Sequence, residues 1–205
     1  QKDTDMSARN DACPIGRGQY DSEGGLATYR GKVFTLPDVP ISTSNSASAP
    51  RTSHNVKVRV VKNSAGAALL PCRAVTYKAG TNMTEVDGYA DTTAEEIAGI
   101  VDERLPAAGV PDGDDFLIVV EGPSLVLNNI AAAASAHIDE GDLLVALTAV
   151  TSGATTAGRV AEVDYSGATT PLAINLANAI GRALSSVTSA NTATQVLAFI
   201  KSRYC

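Results

Sequence analysis

Apolar and charged side chains alternate along Val56-Lys57-Val58-Arg59-Val60, the two-residue period of a strand with one buried face, and Asn63-Ser64-Ala65-Gly66 follows with turn residues. Short β-branched runs of the same kind recur at 73–77, 116–121, 143–148, 159–165 and 195–201. Between them lie Ala79-Gly80, Pro111-Asp112-Gly113, Glu121-Gly122-Pro123, Glu140-Gly141-Asp142 and Ser152-Gly153, which read as turns. Many short strands broken by Gly, Pro and Asp predict a mainly β fold, a small β-barrel or sandwich, rather than alternating βα units.

Two stretches carry helical spacing instead. Thr93-Ala94-Glu95-Glu96 has the form of a capping box, and Leu172, Leu176, Ile180 and Leu184 recur every four residues. Gly99 and Gly181 fall inside these runs, and a glycine in a helix interior costs about 1 kcal/mol relative to alanine. Residues 97–102 and 180–187 are therefore expected as strands, and at most one or two short helices remain, one of them within 168–180.

The first 55 residues differ from the rest. Residues 10–25 are polar and Gly-rich, and 42–53 are nearly all Ser, Thr, Asn, Ala and Pro, with too little apolar surface to offset the entropy of ordering. Lys32-Val33-Phe34-Thr35-Leu36-Pro37 between them is one strand-like patch. Residues 1–55 thus form an extended N-terminal arm, either a disordered leader or a segment ordered against a partner or the body, and 56–205 form the β body. Leu143, Leu144, Val145, Val119 and Val120 are assigned to its core.

Composition narrows the function. In 205 residues, 44% hydrophobic and 19% charged, there are 3 Phe, 6 Tyr and no Trp, so the core is aliphatic and stacking on bases is not expected. A net charge of −6, with 16 scattered Lys and Arg, argues against nucleic-acid and anionic-membrane partners. No apolar run nears the roughly 20 residues of a membrane span; 130–136 is short and mostly alanine. The first residues show no apolar stretch of a secretory signal, although a processed precursor would show none either. Cys13, Cys72 and Cys205 lie far apart without a CxxC pair, which leaves three free thiols or one disulfide and one thiol.

Candidate chemistry is sparse. His54 and His137 are distant and make no metal-ligand spacing, and no GxSxG elbow offers a nucleophile. Asp112-Gly113-Asp114-Asp115 lacks the calcium-loop pattern and reads as a solvated turn. Gly16-Arg17-Gly18 and Glu23-Gly24-Gly25 lack the lysine and preceding strand of a phosphate cradle. No catalytic, cofactor or metal residues are expected, and the chain reads as a component of an assembly working by surface complementarity.

The order of several segments carries a resemblance. Ala67-Ala68-Leu69-Leu70-Pro71-Cys72-Arg73-Ala74-Val75, Val86-Asp87-Gly88-Tyr89-Ala90, Ile97-Ala98-Gly99-Ile100-Val101-Asp102 and the run 116–122 are followed by Ala136-His137-Ile138-Asp139-Glu140-Gly141-Asp142-Leu143-Leu144, then by Ile180-Gly181-Arg182-Ala183-Leu184 and a last strand through Phe199-Ile200. Over roughly residues 65–201 this resembles the small β-barrel decoration, or cement, proteins of tailed-phage heads. The long leader 1–55 and a polar insertion around 165–171 depart from the plain form. The resemblance implies a non-enzymatic protein on the exterior of the virion that binds the major capsid protein, self-associates, often as a trimer, and bridges neighbouring subunits. In that role Val33, Phe34 and Leu36 are expected to anchor the arm on the capsid. The alternatives are a phage fibre or cell-surface adhesion module for a glycan, against which the absence of Trp counts, and a hydrolase, which no motif supports.

Overall fold

The structure, a computed structural model, describes residues 13–38, 52–90, 97–128, 137–146, 158–163, 179–187 and 195–202. Among these the elements are β1 (Tyr20–Asp21), β2 (Val33–Pro37), β3 (Asn55–Asn63), β4 (Ala74–Tyr77), β5 (Glu85–Tyr89), β6 (Ile97–Val101), β7 (Asp115–Leu127), β8 (Leu143–Ala146), β9 (Val160–Glu162), β10 (Ala179–Ala183) and β11 (Gln195–Lys201), with one 3-10 turn at Ala27–Tyr29. The mainly β expectation holds; the strands expected at 56–60, 73–77, 97–102 and 116–121 are present with shifted ends, and that at 195–201 with the ends expected. Residues 147–148 and 164–165, expected as strand ends, lie outside the described residues. So do the capping box at 93–96 and residues 168–178 of the expected helix, whose last two residues, Ala179 and Ile180, are strand.

The pairings close part of the sheet on itself. β3 joins β5 in parallel through Lys62 and Glu85, β5 joins β4, β4 joins β6, β6 joins β7, and β7 returns to β3, the last four all antiparallel. Every strand of this ring has two neighbours, which makes it a five-stranded barrel without an open edge. Val61, Val75, Tyr77, Val86, Ala98, Val101, Phe116, Ile118 and Val120 come from all five strands into one cluster, the barrel interior, joined there by Leu69, Leu105 and Val110.

β7 carries the rest of the fold. A strand residue has one partner on each edge, and Phe116, Val119 and Glu121 pair with Val61, Val58 and Lys57 of β3 on one side. On the other side the same residues meet Tyr20 of β1, Ile100 of β6 and Lys201 of β11, three elements placed end to end along one strand. Beyond the barrel, β7 continues into a layer of β11, β10, β8 and β9. Alternation sends Leu117 and Val119 out of the barrel, into a second core with Val58, Val60, Ile100, Leu144, Ile180, Val196 and Ile200.

Glu121-Gly122-Pro123, expected as a turn, lies inside β7. The N–H groups of Leu125 and Leu127 point away from β11, donating to the Glu103 carboxylate at 2.5 Å and the Cys72 carbonyl at 2.8 Å. By the two-residue period the nitrogen of Pro123 faces the same way, so the proline removes no bond from the β7–β11 ladder. Of the expected core, Leu144, Val145, Val119 and Val120 are buried; Leu143 is only half-buried at the start of β8.

Candidate functional site

Residues 13–38, part of the expected extended arm, lie ordered against the body, one of the two alternatives the sequence leaves open. β1 pairs with β7 and β2 with β3, while Leu26 and Phe34 enter the outer core. Two arginines clamp the segment. The buried Arg17 donates from Nε and Nη2 to the two carboxylate oxygens of Asp102, both at 2.9 Å, with Glu103 at 3.8 Å and Asp38 at 4.0 Å. Arg30 makes the same two-pronged contact with the buried Asp115 at 2.7 and 3.0 Å. Burial alone would lower the Arg17 pKa; the hydrogen bonds and charge of Asp102, with Glu103 and Asp38, outweigh it and hold the guanidinium above its ordinary value. Removing one partner of so buried a pair costs about 3–5 kcal/mol, because the other charge is left uncompensated.

Gly18 makes this insertion possible. Its φ is +84°, and a Cβ there would stand 2.6 Å from the Arg104 carbonyl oxygen. The Gly16-Arg17-Gly18 run therefore brings backbone against backbone beside the acidic pair Asp102-Glu103.

The three residues expected to anchor an arm on a partner separate by side of β2. Phe34 is instead only 6% exposed and sits in the chain's own core, with Tyr29 at a ring distance of 6.3 Å, and Leu36 packs half-buried against the same core. The alternation that turns positions 34 and 36 inward turns Val33 outward, to 41% exposure. Val33 lies opposite Arg59 in the register, on the same face. Arg59 reaches from β3 to the hydroxyl of Tyr77, to which Nη1 donates, and to Met83 Sδ at 3.6 Å, with its guanidinium 5.7 Å from the Tyr77 ring centre.

Met83 is presented by a strained turn between β4 and β5. Asn82 and Met83 are consecutive non-glycine residues with φ of +52° and +61°, held by Thr81 and Thr84 hydroxyls donating to the carbonyls of Lys78 and Thr81. The turn leaves Met83 37% exposed. Tyr77, Lys78, Ala79, Gly80, Asn82, Met83 and Asp87 line a concavity of about 350 Å³ there. Val33, opposite Arg59 in the register, and Met83, whose sulfur the Arg59 guanidinium reaches, are thus two exposed apolar side chains that each adjoin the Arg59–Tyr77 pair.

The remaining candidates have structural settings. His54 is exposed and lies edge-on to Phe199, 5.3 Å between ring centres; His137 Nε2 is 3.2 Å from Asp139 Oδ2. Within the Asp112–Asp115 turn, Asp112 accepts the Gly66 N–H at 2.8 Å, but Asp115 is buried under Arg30. Burial, with the charge of Asp115 and its acidic neighbours, raises the Asp114 pKa. Burial likewise raises the Cys13 thiol, against the pull of the Ile15 N–H. Cys72 is buried and its sulfur accepts from Gln195 at 3.3 Å, whereas Cys205 lies outside the described residues. Among the described residues, no three His, Cys, Asp or Glu side chains are arranged to hold a metal ion. Arg17, Arg30 and Met83 carry no functional signal in the sequence beyond the glycines that flank Arg17.

No protein-family model matches the chain, and no curated protein sequence matches it. Among solved structures, it is similar to the N base of the head fibre gp8.5 of bacteriophage phi29 at 14% identity and a TM-score of 0.42, over 70% of this chain and 92% of that one. It is similar also to a chain of the capsid of Myoviridae phage XM1, at 20% identity and a TM-score of 0.42, over 83% of this chain and 94% of that one.

Proposed function

We propose that this protein is a non-enzymatic structural component of a bacteriophage head, a cement protein that binds the outer face of the major capsid protein shell and bridges neighbouring subunits. The observation that carries the reading is where the ordered segments of the resemblance fall. Residues 67–75 lead into β4, and 86–90, 97–102 and 116–122 fall on β5, β6 and β7 of the barrel; 180–184 and 199–200 fall on β10 and β11 of the outer layer. Residues 137–142 form the turn that enters β8 at 143–144, with 136 outside the described residues, so apart from the turns before β4 and β8 the segments of the resemblance lie on framework strands in order.

A protein that binds the assembled shell and not free subunits stabilises the shell by mass action. In this reading the contact is made by Val33 and Met83, since Phe34 and Leu36 are occupied within the chain. Co-sedimentation with purified shells of the source phage tests it. Saturable binding at a fixed ratio to the major capsid protein is expected, weakened at least tenfold, about 1.4 kcal/mol, by combining Val33→Asp with Met83→Asp. Absence of wild-type binding overturns the cement role; wild-type binding untouched by the double variant overturns that contact.

A further inference from the structure

β2 and β3 are antiparallel neighbours with Pro37 opposite Asn55, a geometry that a hairpin closes with about 2–5 residues. Residues 38–54 join them instead, and with Asp38 held beside Arg17 the free connector is 39–54, sixteen residues rich in Ser, Thr, Asn and Pro. Fully extended, a connection of that length reaches about 55 Å. The radius of gyration expected for a chain of this size is only about 17 Å. The connector is therefore long enough to place 13–38 on an adjacent molecule.

What 13–38 holds on the body is chemically self-contained. Asp102 and Asp115 receive Arg17 and Arg30, the edge of β3 receives β2, the start of β7 receives β1, and Val58 and Val60 lie in the core that takes Phe34. Asp38, the third carboxylate near Arg17, travels with the segment itself. No contact in this set needs the connector to belong to the same molecule. We propose that segment 13–38 also docks on the body of a second copy, so that adjacent copies are joined by exchanging it. Within one chain the effective concentration of the segment is about millimolar, so exchange requires copies held side by side at comparable density or a handicap on the closed form.

Charge reversal supplies that handicap. Arg30→Asp places three acidic groups, residue 30 with Asp114 and Asp115, where the clamp was, and Asp115→Arg sets residue 115 against Arg30; either change alone also spoils every homomeric exchange. Mixed together, an exchanged pair restores both contacts at once: the new acid at position 30 meets the new base at position 115, and the unchanged Arg30 of one chain meets the unchanged Asp115 of the other. The experiment is native mass spectrometry and thermal melting of the two variants, separately and after joint refolding, without shells. A heteromer with equal numbers of the two chains that melts above either variant is expected. It should vanish when residues 42–50 are deleted from both chains, because the shortened connector still closes its own hairpin. Melting of the mixture as the sum of its parts, with no heteromer, overturns the proposal. The Arg30→Asp/Asp115→Arg double variant in one chain shows that the reversed pair folds, and variants that fold only when refolded together support exchange equally. The readout is independent of capsid binding, so its failure is distinct from failure of the cement role.

Discussion

Asp114 and Asp21, near each other at the clamp around Asp115, are pushed in opposite directions by their surroundings. The N–H groups of Glu23 and then Leu26 hold the Asp21 carboxyl below its usual value, whereas burial and three neighbouring acids raise that of Asp114. A carboxyl raised on folding binds its proton more tightly in the native state, so its contribution is present below the ordinary value near 3.9 and is lost as pH rises through the raised one. At neutral pH Asp114 therefore opposes folding. Asp114→Asn is expected to raise the melting temperature at pH 7 and to leave it unchanged near pH 3, where both states are protonated. Thermal melts at the two values check this, and a gain of equal size at both would show that charge is not the cause. Asp21 carries the reverse sign: its stabilisation is present above the ordinary aspartate range and is lost as pH falls through its lowered value.

At the scale of elements, β2 tests what the apolar positions of the N-terminal segment are for. Phe34 is enclosed and Val33 is open, one residue apart on opposite faces. Phe34→Ala should cost about 3–5 kcal/mol by transfer and cavity terms, and Val33→Asp no more than about 0.5 kcal/mol, as for a surface change. Urea unfolding of the two variants measures both, and comparable losses would mean that β2 is not docked as described. The strands legible in the sequence are those whose burial alternates or runs unbroken, such as Gln195–Lys201, because hydrophobic period is all that local sequence reports. Glu85–Tyr89 gives no such period, because only Val86 among its five residues is fully buried. Pro123 disguises the middle of β7, since a proline signals a break unless its nitrogen is known to face away from the ladder. The docking of 13–38 is illegible for a different reason: Arg17–Asp102 and Arg30–Asp115 each join residues 85 positions apart, and no local pattern encodes such a pair. The same limit hides the setting of Val33 and Met83, which share Arg59 as a neighbour only because β2 pairs Val33 opposite it and the β4–β5 turn brings Met83 to its guanidinium.

For the molecule as a whole, the two cores raise the question of whether the barrel and the outer layer are separable. They meet in β7, whose residues 116, 118 and 120 fill the barrel while 117, 119 and 126 belong to the outer core. β3 is divided in the same way, with Val61 inside and Val58 and Val60 outside. Losing the outer layer would expose one whole face of both strands, and opening the barrel would remove the support for the other face. Segment 13–38 adds to this coupling, because its arginines bind Asp102 after β6 and Asp115 at the start of β7 while Phe34 sits in the outer core. Neither core can melt while the other keeps its shared strands in place. Calorimetry should therefore give one transition with a calorimetric to van't Hoff enthalpy ratio near 1. A charged substitution in either core, Ile118→Asp in the barrel or Ile200→Asp outside it, should abolish the whole transition rather than half of its enthalpy. Two resolved transitions, or a variant in which one half of the enthalpy survives, would show that β7 links two independent units instead of fusing them into one.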